Sequence, residues 1–219
     1  MKSIAQPQKL VLLSPLVLGP VVCTYPLVGL FGLFGIKGWL INYTAYALAA
    51  LVATGLLLLL LGRMGLGLRD LGWRGFRIAH IVQGILGALT AAMLWKGMLM
   101  LIEHFGLPDW GSNARYTELA RQIPLMFLFT AVIGPFAEET LFRGFLLLLW
   151  KEKFGLPAAI AVSTVLFALL HYIPFGTGSV ILILPWSIIP TLLALRARSL
   201  WPAFIMHLIN NSLAYIVIP

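Results

Sequence analysis

Two adjacent glutamates and an arginine lie inside a long apolar stretch of the chain, which runs from Pro124 to Trp150. Ionisable side chains at membrane depth are costly, and they commonly mark functional sites. Glu139 and Arg143 are four residues apart, so on a helix they share a face and we expect them to form an ion pair. Glu138 is rotated by about 100° from Glu139. It is therefore left as the carboxylate that faces the neighbouring helices.

Two histidines and an asparagine occur at a comparable depth in later apolar stretches. A rise of ~1.5 Å per residue places Glu138 about 18 Å, and His171 about 21 Å, from the inner ends of their helices. The same rise places His207 about 10 Å and Asn211 about 16 Å from the start of theirs. Phe167 shares a helix face with His171, as His207 does with Asn211, because each pair is four residues apart. This overlap in depth favours a site over scattered interhelical hydrogen bonds.

These residue types favour hydrolysis of an amide or ester bond. A carboxylate with a His can hold and deprotonate a water molecule, and a second His with an Asn amide can donate hydrogen bonds to a developing oxyanion. Two His and a Glu are also a zinc set, and in that case Glu138, His171 and His207 would be the ligands. The His-Glu-x-x-His signature is absent from the sequence, so no cofactor is favoured and zinc stays open. The Glu139–Arg143 pair has a second interpretation, as an ion pair that holds the bundle together.

The elements that must position these residues are membrane spans. The chain is 61% hydrophobic and only 10% charged, whereas soluble domains carry about 25% charged residues, and apolar runs long enough to cross a bilayer recur. The sequence predicts an all-α, polytopic transmembrane helical bundle that forms one membrane domain over residues 1–219. About seven spans are expected, at Leu10–Phe34, Trp39–Gly62, Ile78–Ile102, Ile123–Trp150, Pro157–Ile173, Val180–Leu195 and Leu200–Ile218.

The basic residues predict a cytoplasmic N-terminus. With that orientation the inner segments hold ten Lys and Arg and the outer loops hold three, while Lys96 and Arg143 lie within spans, which accounts for all 15. This asymmetry fits the positive-inside rule, so the net charge of +8 is explained without nucleic acid. The expected partners are the lipid bilayer and a membrane-associated protein or peptide substrate, in the membrane of a prokaryotic cell. The three outer basic residues are Lys37, Arg115 and Arg121.

At its polar residues the chain resembles the CPBP family, the type II CAAX prenyl endopeptidases and their bacterial relatives. The family pattern is Glu-Glu-x-x-x-Arg, then Phe-x-x-x-His, then His-x-x-x-Asn, on separate helices. Here the three motifs begin at Glu138, Phe167 and His207 and end at Arg143, His171 and Asn211. Ser199-Leu200-Trp201-Pro202, before the last motif, is also similar to the family. The resemblance covers a catalytic core over about residues 125–214, and the first three spans show none.

The resemblance implies an intramembrane endopeptidase. By position, Glu138 and His171 would activate the water, and His207 and Asn211 would form the oxyanion site. The residues in supporting roles would be Glu139, Arg143 and Phe167. Eukaryotic members cleave the last three residues from prenylated CAAX proteins, whereas bacterial relatives include lysostaphin-resistance, bacteriocin-linked and scaffold-like proteins. For the family, both a zinc enzyme and a metal-free glutamate protease have been considered.

Two other functions stay open on the sequence. One is a non-catalytic membrane scaffold or bacteriocin-immunity protein of the same fold, although a scaffold need not keep Glu138, His171, His207 and Asn211 together. The other is a proton-coupled transporter that uses Glu138 and the histidines as a relay. The sequence shows no internal repeat, and an odd number of spans does not suggest two halves, so the transporter is disfavoured.

Overall fold

The computed structural model describes residues 7–35, 39–106, 127–172 and 177–216. Within these ranges the chain forms helices and no strand, which confirms the all-α prediction. Two segments adopt the wider π-helical form, π1 at Phe129–Ile133 and π2 at Glu139–Leu146. The α-helices are α1 Pro7–Val22, α2 Thr24–Leu33, α3 Trp39–Arg63, α4 Ile78–His104, α5 Gly134–Glu138, α6 Leu147–Phe154, α7 Leu156–Leu170, α8 Thr177–Trp186, α9 Ile188–Ala197 and α10 Trp201–Ile216.

Four of the described helical segments are long and apolar enough to cross a membrane, so the chain is an integral membrane protein. They coincide with the predicted first, second, third and sixth spans. A shorter apolar helix, Leu156–Leu170, occupies the place of the predicted fifth span. The composite π1–α5–π2–α6 helix and α10 occupy the fourth and seventh, so the expected span count is roughly consistent with the structure. The four segments are Ser14–Leu33, Thr44–Arg63, Ile78–His104 and Thr177–Ala197.

Parts of the predicted topology lie outside the described residues. This holds for Lys2, for the outer basic residues Lys37, Arg115 and Arg121, and for the polar loop over residues 107–126. The start of the predicted fourth span and the last residues of the fifth and seventh spans fall there as well.

Prolines divide two of the predicted spans into shorter helices. Pro26 has no N–H to donate to the carbonyl of Val22, and the first span breaks between α1 and α2 at Cys23. The sixth span breaks in the same way at Ser187, between α8 and α9. There Pro190 cannot donate to the carbonyl of Trp186. The second break lies beside the polar cluster described below, where the carbonyl of Ser187 accepts a hydrogen bond from Arg143.

Helices α4 and α10 approach each other closely through glycines. A Cβ atom added to Gly84 would lie 2.5 Å from Cγ2 of Ile205 and 3.2 Å from the backbone nitrogen of Met206. One added to Gly87 would lie 2.5 Å from Cδ1 of Leu193. In a bilayer, where lipid tails are as apolar as leucine, such close packing is a main source of helix association. The backbone of α10 is therefore packed against α4 at Ile205 and Met206, immediately before His207 in the sequence.

The basic linker between α3 and α4 packs onto the C-terminal half of the chain. The N–H of Leu200 donates to the carbonyl of Gly72 at 2.9 Å. The Trp73 ring lies against Phe136 and Phe204, with ring centroids 4.7 and 5.5 Å apart. The linker therefore fixes the start of α10 and contacts the helix that carries the paired glutamates.

Candidate functional site

The two glutamates lie where the helix changes from α to π geometry. Glu138 ends α5 and Glu139 begins π2, whose last hydrogen bond runs from the N–H of Leu147 to the carbonyl of Phe142, five residues back. That carbonyl also accepts a 2.9 Å hydrogen bond from the Ser163 hydroxyl of α7. Such i→i+5 segments are rare and frequently occur at functional sites. Regular α-helical spacing therefore does not by itself fix the faces of the residues that follow Glu138.

His207 of α10 lies between the two carboxylates. Its Nδ1 is 3.0 Å from Oε1 of Glu139, and its Nε2 is 3.5 Å from Oε2 of Glu138. All three residues are buried, with 3%, 0% and 7% of His207, Glu139 and Glu138 exposed. Buried polar groups need partners, and the imidazole joins the two carboxylates into one cluster. Oε2 of Glu139 is buried without a hydrogen-bond partner among the described residues.

The expected ion pair between Glu139 and Arg143 is present. Nη1 of Arg143 lies 3.3 Å from Oε1 of Glu139, and both side chains are fully buried. The guanidinium also donates from Nη2 to the carbonyl of Ser187 at 3.0 Å and from Nε to the hydroxyl of Thr191 at 3.3 Å. The Cζ atom of Arg143 lies 4.1 Å from the centre of the Phe167 ring, a cation–π contact. Arg143 thus joins the π2 helix to α7 and to the break between α8 and α9.

Glu138 has a partner that the sequence did not reveal. The hydroxyl of Tyr46, in α3, donates to Oε1 of Glu138 at 2.8 Å. With Nε2 of His207 also 3.5 Å from Oε2, Tyr46 and His207 contact different oxygens of the same carboxylate. A lone tyrosine in an apolar span carries no spacing signal, and its contact with residue 138 depends on how α3 packs.

His171 lies at the C-terminal end of α7, buried beside the same cluster. Its Nδ1 is 2.8 Å from the carbonyl oxygen of Phe167. Because a carbonyl only accepts hydrogen bonds, the ring donates from Nδ1 in this contact. The ring centroid is 5.9 Å from that of Tyr46 and 4.6 Å from that of Phe167.

Asn211 lies one turn beyond His207 on α10. Its Nδ2 donates to the carbonyl oxygen of Thr130, in π1, at 2.8 Å. The structure therefore brings six of the seven predicted site residues into one cluster and places Asn211 at its edge, bound to the backbone of the helix that carries the glutamates. The six are Glu138, Glu139, Arg143, Phe167, His171 and His207.

The remaining walls of the cluster are formed by residues to which the sequence assigned no role. The ring of Trp186 packs edge-on against His207 with centroids 5.0 Å apart. The indole N–H of Trp73 donates to the hydroxyl of Thr140 at 3.0 Å, two residues from Glu138. Each contact joins segments that are far apart in the chain, so no local residue spacing predicts it.

The zinc alternative can be compared with these positions. Among the described residues, no three His, Cys, Asp or Glu side chains are placed to hold a metal ion together. Both ring nitrogens of His207 already face carboxylates, and Nδ1 of His171 faces a carbonyl. Zinc-bound histidines have partners of the same kind, because a ligating His usually donates its other ring N–H to a carboxylate or a carbonyl.

Comparison with known proteins places the chain beside membrane peptidases. Residues 120–213 match the Rce1-like type II CAAX prenyl endopeptidase family, and all three sequence motifs fall within this range, which confirms the resemblance. A Bacillus subtilis (strain 168) protein named "Putative membrane peptidase YdiL" is 24% identical over 144 residues, which cover 65% of this chain and 53% of that protein. The chain thus spans about half the length of this curated relative. No solved structure matches the chain.

Proposed function

We propose, from the premise that residues 120–213 form an Rce1-like type II CAAX prenyl endopeptidase domain, that the chain is an intramembrane endopeptidase. Its substrate would be a membrane-associated protein or peptide, with prenylated CAAX-type proteins as the candidate class. The observation that carries the proposal is the buried Glu138–His207–Glu139 cluster, since burying two carboxylates and an imidazole in a membrane protein is costly without a use.

In the proposed mechanism Glu138 is the general base. A water held between Glu138 and Nε2 of His171 gives a proton to the carboxylate, and the hydroxide attacks the scissile carbonyl carbon. The carbonyl oxygen becomes the oxyanion of a tetrahedral intermediate. When that intermediate collapses, the C–N bond breaks and Glu138 returns its proton to the leaving amine.

His207 and Asn211 would stabilise the oxyanion. Glu139 accepts at Nδ1 of His207, which orients the ring much as a carboxylate orients the His of a catalytic triad. Nε2 can then donate to the oxyanion when the ring carries both protons. The Asn211 amide has two N–H donors and uses one on the carbonyl of Thr130, so the second remains for the oxyanion.

The test of the proposal is a search for products that depend on Glu138. Membranes that contain the wild-type protein should accumulate cleaved peptides that membranes with the Glu138→Gln variant lack, because Gln cannot accept the proton of the water. An identical peptide inventory in the two membranes would favour the scaffold or immunity function of the same fold over hydrolysis.

We predict that catalysis needs no tightly bound metal ion. The reason is that Glu138 with His171 suffices as a base for activating the water. Elemental analysis of active, purified protein should find much less than one zinc per chain, and prolonged chelation should leave the rate unchanged. One zinc per chain, with activity lost on stripping and restored on readdition, would make the histidines ligands instead.

We also propose that the N-terminus is cytoplasmic, as the basic residues of the linker between α3 and α4 indicate. A cysteine at Gly75, in that linker, should be labelled from the cytoplasmic side, and one at exposed Glu103, at the end of α4, from the opposite side. Both would be placed in a Cys23→Ala background and exposed to a membrane-impermeant thiol reagent. Labelling of both positions from one side would contradict the seven-span arrangement.

A further inference from the structure

We propose that Tyr46, on α3 and outside the residues that match the family, is the positioning residue for Glu138. The inference rests on the proposed function, because it takes Glu138 as the general base. Tyr46 precedes the matched range, 120–213, by more than seventy residues. The site would therefore include a residue, Tyr46, that lies outside the matched region.

The contacts of Tyr46 point to this role. Its hydroxyl donates to Oε1 of Glu138 at 2.8 Å, a good length for a charge-assisted hydrogen bond. Its ring lies 5.9 Å from that of His171, centroid to centroid and tilted by 54°. One side chain therefore touches both residues that would activate the water.

The depth of Tyr46 makes the contact costly to break. Only 4% of the residue is exposed, and a buried phenol without a partner loses the hydrogen bond that it had in water. Tyr46 is followed along the same helix by buried Ala49, Ala50 and Ala53. Small residues of this kind allow helices to approach closely in a membrane. They are therefore consistent with α3 lying close enough to α5 for the Tyr46 hydroxyl to reach Glu138.

The two carboxylate oxygens of Glu138 have different partners, and this difference indicates the role of Tyr46. Oε1 receives the Tyr46 hydroxyl, while Oε2 lies 3.5 Å from Nε2 of His207. A glutamate side chain has several rotatable bonds, and the hydrogen bond at Oε1 selects the rotamer that turns Oε2 toward the site of reaction. A base held within the productive geometry contributes much of the rate, and misplacement by about 1 Å can cost 10²-fold.

The first experiment is the Tyr46→Phe variant of the full chain, assayed for peptide cleavage in detergent. Phe keeps the ring against His171 and removes only the hydroxyl. We expect kcat to fall by about 10- to 100-fold while KM stays within about two-fold, because substrate binding does not involve the hydroxyl. Tyr25→Phe is the matched control, since Tyr25 also donates its hydroxyl across the bundle, to the carbonyl of Leu169, away from the carboxylates.

A second measurement separates positioning from a structural role. In a Glu138→Asp background the carboxylate is withdrawn by one methylene, so Tyr46→Phe should cost no more than about two-fold in kcat. In thermal unfolding, Tyr46→Phe should lower the midpoint by about 3–10 °C in the wild-type background and by clearly less in Glu138→Ala. If Tyr46→Phe lowered the unfolding midpoint equally in the wild-type and Glu138→Ala backgrounds, Tyr46 would act on the bundle as a whole. That result would overturn the proposal.

The outcomes distinguish this proposal from the function on which it rests. If Glu138→Gln is inactive and Tyr46→Phe keeps the wild-type kcat, the role of Tyr46 is wrong and the protease function stands. If neither the wild-type protein nor any variant cleaves peptides, the protease function fails. The thermal cycle with Glu138→Ala then still decides whether Tyr46 holds Glu138.

Discussion

We expect Glu138→Gln to abolish the proposed peptide hydrolysis and to leave the helical bundle folded. Glutamine keeps the size of the side chain and can still accept the hydroxyl of Tyr46, so the contact with α3 is retained. It cannot take a proton from water, and the loss of a general base typically costs a factor of about 10² to 10⁴ in rate. The effect should appear in kcat, because the transition state loses the interaction and the bound substrate does not.

A cleavage assay paired with thermal unfolding in detergent tests this expectation. Glu152→Gln, at an exposed position of α6, is the matched control and should change neither the rate nor the midpoint. Cleavage by Glu138→Gln at close to the wild-type rate would remove Glu138 from the proposed role, and with it the support for a glutamate-activated water.

Glu139→Gln, one residue further, should do more harm to the fold than Glu138→Gln. Glu139 is fully buried, and its Oε1 faces both Arg143 and His207. Without the carboxylate, the guanidinium keeps only neutral acceptors at Ser187 and Thr191. Removing one member of a buried pair typically costs about 3–5 kcal/mol, because the other charge is left uncompensated.

The measurement is the free energy of unfolding of Glu139→Gln and Glu138→Gln under the same conditions, with Glu152→Gln as the neutral reference. We expect Glu139→Gln to be much the least stable of the three. A stable but inactive Glu139→Gln, together with an active Glu138→Gln, would require the roles of the two carboxylates to be exchanged.

The parts of the site that the sequence predicts are those that depend on local geometry or on whole-chain composition. Glu139 and Arg143 pair because residues four apart share a helix face, and this holds although the segment is π-helical. The apolar runs are long enough to predict the membrane helices directly. His207 reaches the glutamates because polar side chains of different spans gain by meeting at one depth.

The parts that the sequence does not predict depend on how separate helices pack. The hydroxyl of Tyr46 reaches Glu138 only because α3 packs against α5. The bond between Asn211 and the carbonyl of Thr130 depends on a backbone group, which every residue has and no motif distinguishes. The carbonyl of Phe142, in π2, accepts from the Ser163 hydroxyl of α7 as well as from the N–H of Leu147, and no local residue pattern indicates this contact.

The glycine contact between α4 and α10 has a consequence for how the protein moves. Gly84 and Gly87 bring the backbone of α4 against Ile205 and Met206. We therefore expect the backbone next to His207 to move little. A rigid donor needs no reorientation as negative charge develops, which is the condition under which electrostatic stabilisation is most effective. We therefore expect any motion that admits a peptide substrate to occur in helices other than α4 and α10.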